Sequence, residues 1–255
     1  MILDAFRLDG KVALVTGAAR GLGQAIAAGL AEAGADIALL DRLPLADTMR
    51  QIEALDRECL AIERDLDGLT VPEASGIVDR VADAFGRVDI LVNNAGMIRR
   101  APALDFTPAD WDASLAINLS APFFLSQAFA RQAIAAGHGG KIVNLASMLS
   151  FQGGSSVPAY TATKSGVAGL TRALANEWAA LGINVNAIAP GYIATELTAA
   201  LRADPARAGA VLGRIPAGRW GTPEDVQGTV VFLASDAARY VHGTILPVDG
   251  GWLAW

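Results

Sequence analysis

Tyr160 and Lys164 stand four residues apart in PAYTATKSG, a stretch otherwise built of small and hydroxyl-bearing residues. The segment reads as helix, so the two side chains share a face about one turn apart. A phenol has an ordinary pKa of about 10, too high for easy proton exchange near neutrality. An ammonium beside it favours the phenolate, so Lys164 is expected to lower the Tyr160 pKa and make the pair a proton donor and its tuner. Taken alone, such a pair reads as an ordinary surface pair. Ser147 changes that reading, because it follows the apolar run KIVNLA thirteen residues before the tyrosine. Its hydroxyl then emerges at the same sheet edge, where it can hold an oxygen on which negative charge develops.

These three residues need a bound reactant, and the start of the chain offers a place for one. The string TGAARGLG, residues 16 to 23, follows the apolar run KVALVT and opens a long Ala-rich helix. Gly17 permits a tight turn, Gly21 lets backbone approach a ligand, Gly23 lets helix and strand pack closely, and Leu22 lies between them. Free N–H groups at the helix start attract phosphate. Asp41 ends the next strand 18 residues after Gly23, where a carboxylate hydrogen-bonds the adenosine ribose of a dinucleotide. It repels a 2′-phosphate and argues for NAD. Arg20 and Arg42 are guanidiniums that could instead receive that phosphate, which keeps NADP open. Asp65, beside Leu66, is a candidate partner for the adenine amino group and equally an ordinary loop carboxylate. The run NNAG, residues 93 to 96, follows a fourth strand, with Asn93 able to bridge strands and Ala95 and Gly96 able to lie against a cofactor.

Elements that would carry these groups alternate along the 255 residues. Strands are expected over 11–16, 36–40, 59–63, 88–93, 141–146, 183–188 and 244–248, and helices near 22–33, 44–56, 70–85, 107–135, 158–180 and 222–234. Gly34 and Gly182 sit where helix C-termini favour positive φ, and Pro158 suits a first turn. The pattern is α/β, a parallel sheet covered on both faces, in a single domain spanning 1–255. The less regular stretch 191–221 is expected to be a substrate lid or an ordered surface excursion.

Together, Thr16-Gly17-x3-Gly21-x-Gly23, Asn93-Asn94-Ala95-Gly96, Asn118, Ser147, Tyr160-x3-Lys164 and Pro190-Gly191 resemble the short-chain dehydrogenase/reductase family over nearly the whole chain. The resemblance implies a Rossmann-type, doubly wound, seven-stranded parallel sheet of order 3-2-1-4-5-6-7, and a homotetramer. It implies an NAD-dependent oxidoreductase interconverting a secondary alcohol and a ketone, with Tyr160 exchanging the proton and Ser147 holding the oxygen. By the same resemblance Lys164 binds the nicotinamide ribose, Asn118 holds a water linking Lys164 to solvent, and Thr195 bonds the carboxamide, with Pro190, Gly191 and Ile193 beside it. Taken alone, Asn118 is equally a helix-kink residue near Pro122.

The substrate is less legible. MILDAF, NNAGMIRR, NLASMLSFQGG, IPAGRWG and VDGGWLA resemble family members that act on deoxy-keto sugar acids. Arg99 and Arg100 could receive a carboxylate, although a solvated pair is the plainer reading. Met148, Phe151 and Gln152 could line the pocket or pack against the lid. Trp252 and Trp255 suggest a subunit contact. A broader ketone, sugar or 3-oxoacyl reductase using NADPH remains an alternative, as does a dinucleotide-binding sensor without catalysis. The net charge of −6 without a Lys/Arg cluster argues against nucleic acid. With Cys59, His138 and His242 as the whole Cys and His complement, a zinc mechanism is not expected. The opening MILDAFRLDGK lacks the parts of an export signal, and the long uncharged stretches carry Asn, Gln and Pro, so a cytoplasmic protein without membrane spans is expected.

Overall fold

The computed structural model describes residues 1–254; Trp255, half of the expected aromatic contact, lies outside the described residues. The chain runs β1 (Val12–Thr16), α1 (Gly21–Glu32), β2 (Asp36–Asp41), α2 (Ala46–Glu53), β3 (Cys59–Glu63), α3 (Val71–Phe85), β4 (Ile90–Asn93), α4 (Pro108–Leu115) and α5 (Ala121–Ala136). It continues through β5 (Gly140–Leu145), α6 (Pro158–Trp178), β6 (Ile183–Pro190), α7 (Ala199–Arg202), α8 (Pro205–Leu212), α9 (Gln227–Ala234) and β7 (Ile245–Val248). The strands form one sheet in the order β3-β2-β1-β4-β5-β6-β7, and every pairing is parallel.

Alternation along the strands explains the two covered faces. In β1, Ala13 and Val15 pack with Ile26 and Leu30 of α1 and Val230 and Leu233 of α9. Their neighbours Val12 and Leu14 pack on the other side with Val78 of α3 and Leu125 and Phe129 of α5. Each strand residue therefore feeds one core or the other, and the central strands read as continuous apolar runs. The order reverses between β1 and β4, and their C-terminal ends open into the crevice that such a reversal creates.

Two expected elements differ in detail. The helix expected over 107–135 is α4 and α5 joined by a π-turn at Ala116–Ser120. Pro122, in the first turn of α5, lacks an N–H, and Asn118 commits its side chain to neighbouring backbone, so the regular ladder is interrupted there. By length and composition the stretch Pro108–Ala136 could cross a membrane, contrary to the sequence expectation, but half of its apolar window is buried inside this fold. The 191–221 segment holds a short turn at Glu196–Thr198, α7 and α8. It leaves and rejoins the body where Ile193 bridges Gly221.

Candidate active site

Thr16, at the end of β1, sets the glycine-rich turn. Its Oγ1 donates to the Val92 carbonyl (3.3 Å) and accepts from the N–H groups of Asn94 (3.0 Å) and Ala95 (2.9 Å). The Asn94 amide then donates to the Thr16 and Gly17 carbonyls at 2.9 and 3.0 Å. Gly17 takes a φ of +66°, and a Cβ on Gly23 would lie 2.0 Å from the Gly17 carbonyl oxygen. The turn therefore closes only with glycines at these positions. No side chain caps the start of α1, so its first N–H groups remain available to an anion. A glycine cradle at an uncapped helix start fits the diphosphate of a dinucleotide.

A cleft of ≈1130 Å³ runs from this turn along the C-terminal sheet edge. Beside the glycine turn, Asp41 accepts from the Ala19 and Leu43 N–H groups, both at 3.0 Å. Arg42 pairs with Asp65 at 3.6 Å, Arg64 with Glu73 at 2.7 Å, and Arg20 reaches across the cleft to Glu196 of the 191–221 segment. Leu22, Leu66, Ala95, Gly96, Pro190, Gly191, Ile193 and Thr195 also line it. Thr195 faces Gly21 across the opening, its methyl 3.7 Å from where a Cβ on Gly21 would stand.

At the other end, Ser147 follows β5, and its Oγ accepts from the Leu149 N–H at 3.1 Å. Tyr160 lies in the first turn of α6 and Lys164 one turn later, with the Lys164 Nζ 5.6 Å from the Tyr160 ring centroid. Lys164 is buried and donates to the Leu145 carbonyl at 2.5 Å, fastening α6 to β5. Burial alone lowers its pKa to about 8. Burial also raises the Tyr160 pKa, opposed by the Ser147 hydrogen bond and then by the Arg100 charge. The groups that pull the phenol down against this burial are Ser147 first and Arg100 second.

Several expected contacts fall elsewhere. Asn93 points away from the cleft and braces the core, donating to Ser126 Oγ at 3.0 Å and Asn144 Oδ1 at 2.9 Å. Its neighbour Asn94 is the one that reaches the glycine turn; successive strand residues face opposite ways, and that alternation is the signal that separates the two. Asn118 is buried behind the cleft, accepting from the Met97 N–H at 2.8 Å and donating to the Met97 carbonyl at 2.9 Å. Phe151 is 49% exposed and does not line the cleft, whereas Met148 and Gln152 do. Arg99 lies 3.4 Å from Asp110. Trp252 is buried within its own chain against Met148 and Ile215, so it is not the free subunit contact expected of it. Thr16, Arg207 and Arg214, none of which motif reasoning singled out as binding groups, frame or line the site. Cys59 is half-buried in β3, and burial and the Glu53 charge push its thiol up to about 12.

A reversal-point crevice with a diphosphate cradle at one end and a Ser-Tyr-Lys set at the other defines an oxidoreductase acting on CH–OH groups with a nicotinamide dinucleotide. The chain belongs to the short-chain dehydrogenase/reductase family; the family model described as enoyl-(acyl carrier protein) reductase matches residues 17–253. It is 56% identical to the 2-dehydro-3-deoxy-D-gluconate 5-dehydrogenase of Escherichia coli K12, an alignment covering 100% of both chains. Among solved structures, a proposed 2-deoxy-D-gluconate 3-dehydrogenase from Agrobacterium tumefaciens with bound NADP matches with a TM-score of 0.91 at 56% identity, covering 98% of this chain and 99% of that one. A gluconate 5-dehydrogenase from Burkholderia cenocepacia in complex with NADP and tartrate matches with a TM-score of 0.94 at 42% identity, covering 100% of both chains.

Proposed function

We propose that this protein interconverts a secondary alcohol and a ketone on a deoxy-keto sugar acid such as 2-dehydro-3-deoxy-D-gluconate, with NAD(H) as the redox partner. The observation that carries the reaction type is the meeting of Ser147, Tyr160 and Lys164 at one end of a cleft whose other end cradles a diphosphate. The full-length likeness to sugar-acid dehydrogenases supports the substrate. When bound, the dinucleotide supplies or accepts the hydride.

In ketone reduction Tyr160 gives its proton to the carbonyl oxygen, and in alcohol oxidation it takes the hydroxyl proton as phenolate. The Ser147 hydroxyl donates a second hydrogen bond to the same oxygen. Lys164 holds the nicotinamide ribose, and Asn118, fixed by Met97 and Thr163, steadies α6 beside it. The 191–221 segment serves as the lid, with Arg20 and Glu196 as its contact to the glycine turn. We place the enzyme in the cytoplasm as a homotetramer, the assembly that the family resemblance implies; light scattering in solution checks the mass.

Burial, Ser147 and Arg100, in that order, shape the pH dependence through Tyr160. Oxidation needs the phenolate, so its rate rises with pH as Tyr160 ionises, while reduction is favoured below that pKa. Because the Arg100 charge lowers the Tyr160 pKa, Arg100→Ala is expected to move the oxidation limb to higher pH. A pH profile of kcat/KM in both variants reads this directly, and an unmoved limb would remove Arg100 from the account.

Asp41 carries the choice of NAD. A carboxylate that ends the second strand of such a fold hydrogen-bonds the ribose and repels a 2′-phosphate, so Asp41→Asn is expected to reduce the preference for NAD over NADP by about 10-fold. The solved relatives with NADP favour a competing reading, in which Arg42 exchanges Asp65 for the phosphate. That pair is solvent-facing, and such pairs contribute little. A wild-type enzyme faster with NADPH, and an Arg42→Ala variant that loses this activity alone, would decide for NADP.

A further inference from the structure

The substrate end of the cleft differs electrostatically from its adenosine end. Arg20, Arg42 and Arg64 each hold a carboxylate, whereas among the described residues Arg207 and Arg214 have none within ion-pair distance. Both line the cleft together with Ala210 and Val211, Arg207 from α8 and Arg214 from the turn that follows it. In a chain of net charge −6, two cations in the cleft without an acidic partner among the described residues suit an anionic ligand.

The Arg214 corner is also built. Its guanidinium carbon lies 4.1 Å from the Trp252 ring centroid. Trp252 stands edge-on to Tyr192 at 4.8 Å and packs on Ile215 and on Met148, the residue after Ser147. Gly250 and Gly251 take left-handed φ values and lie against Ile215 and Pro216. The Ala217 N–H donates to the Gly250 carbonyl at 2.9 Å and closes this frame. A guanidinium laid on an aromatic ring keeps its N–H edges in one plane, the geometry that a carboxylate matches with two parallel hydrogen bonds. Beneath it, the Trp252 indole N–H is buried and has no acceptor among the described residues. An unmet buried donor is destabilising and calls for an acceptor.

We infer that Arg214 and Trp252 form the seat for the substrate's carboxylate, Arg214 binding it through its guanidinium edge and Trp252 supplying the supporting ring and, as the lid adjusts, the indole N–H. This rests on the sugar-acid reading above and adds to it the specificity-determining residues. Arg100, beside Tyr160, then acts on the reacting end of the substrate, and Arg214 on its acid end.

The test compares 2-dehydro-3-deoxy-D-gluconate with its methyl ester, the same skeleton without the charge, in wild type, Arg214→Gln and Trp252→Phe. The preference for acid over ester is expected to fall about 10- to 100-fold in Arg214→Gln, mainly through KM. It should fall several-fold in Trp252→Phe, which keeps an aromatic face under Arg214 and removes only the N–H donor. Inhibition by tartrate should weaken in the same order. Equal losses on acid and ester would mean that the corner only packs the lid, and would overturn the assignment. A wild-type preference for the acid that both variants retain would also overturn it, while leaving the sugar-acid reading in place. A wild type with no preference would remove that reading and the seat with it.

Discussion

Tyr160→Phe is expected to lower turnover by about 10³-fold or more while NADH binds with nearly unchanged affinity. The substitution removes one oxygen and keeps the ring, over which the Lys164 Nζ lies 5.6 Å from the centroid. The cradle at Thr16, Gly17 and Asn94 does not touch the phenol, so dinucleotide affinity is independent of it. Ser147 remains but has no proton to pass on with the right acidity, since nothing in the site ionises a serine hydroxyl. Stopped-flow turnover and a fluorescence titration with NADH separate the two quantities. Normal turnover in this variant would overturn the catalytic assignment, and loss of both together would mean that the tyrosine is structural.

The second large effect lies at the other end of the cleft. Gly23→Ala places a methyl group 2.0 Å from the Gly17 carbonyl oxygen and 2.5 Å from the Asn94 amide nitrogen. Both neighbours are locked: Asn94 holds the turn to β4, and Gly17 cannot swing without breaking that bond. The turn must open, and the N–H groups of α1 lose their aim at the diphosphate. Dinucleotide affinity is expected to fall by about 100-fold or more. Gly76 is the control, because on the exposed face of α3 a Cβ would meet nothing within 4 Å. Gly76→Ala should keep full affinity and raise stability by about 0.5–1 kcal/mol, read from a denaturant midpoint. Equal behaviour of the two variants would contradict the cradle.

The sheet was legible because its strands are continuous apolar runs between Ala-rich helices, and glycines such as Gly34 and Gly182 mark where helices end. The glycine turn and the Ser-Tyr-Lys set were legible as ordered motifs with fixed spacing. Pairwise side-chain competition was not. Nothing in the string separates Asn93 from Asn94 except the strand's alternation, and nothing in IRR says that Arg99 meets Asp110 while Arg100 faces Tyr160. Long-range partners were hidden for the same reason. Trp252 reads as a free aromatic terminus, yet it is buried against Met148 and against Ile215 of the 191–221 segment. The spacing of Tyr160 and Lys164 also carries no sign of how deeply both are buried, and burial is the largest cause acting on each group.

The most direct test of the central claim is dinucleotide-linked turnover, followed by absorbance, on 2-dehydro-3-deoxy-D-gluconate set beside a neutral sugar and a simple ketone. The account predicts strong NADH-linked activity confined to the sugar acid, abolished in Tyr160→Phe. Activity chiefly on neutral ketones, or turnover that survives Tyr160→Phe, would contradict it.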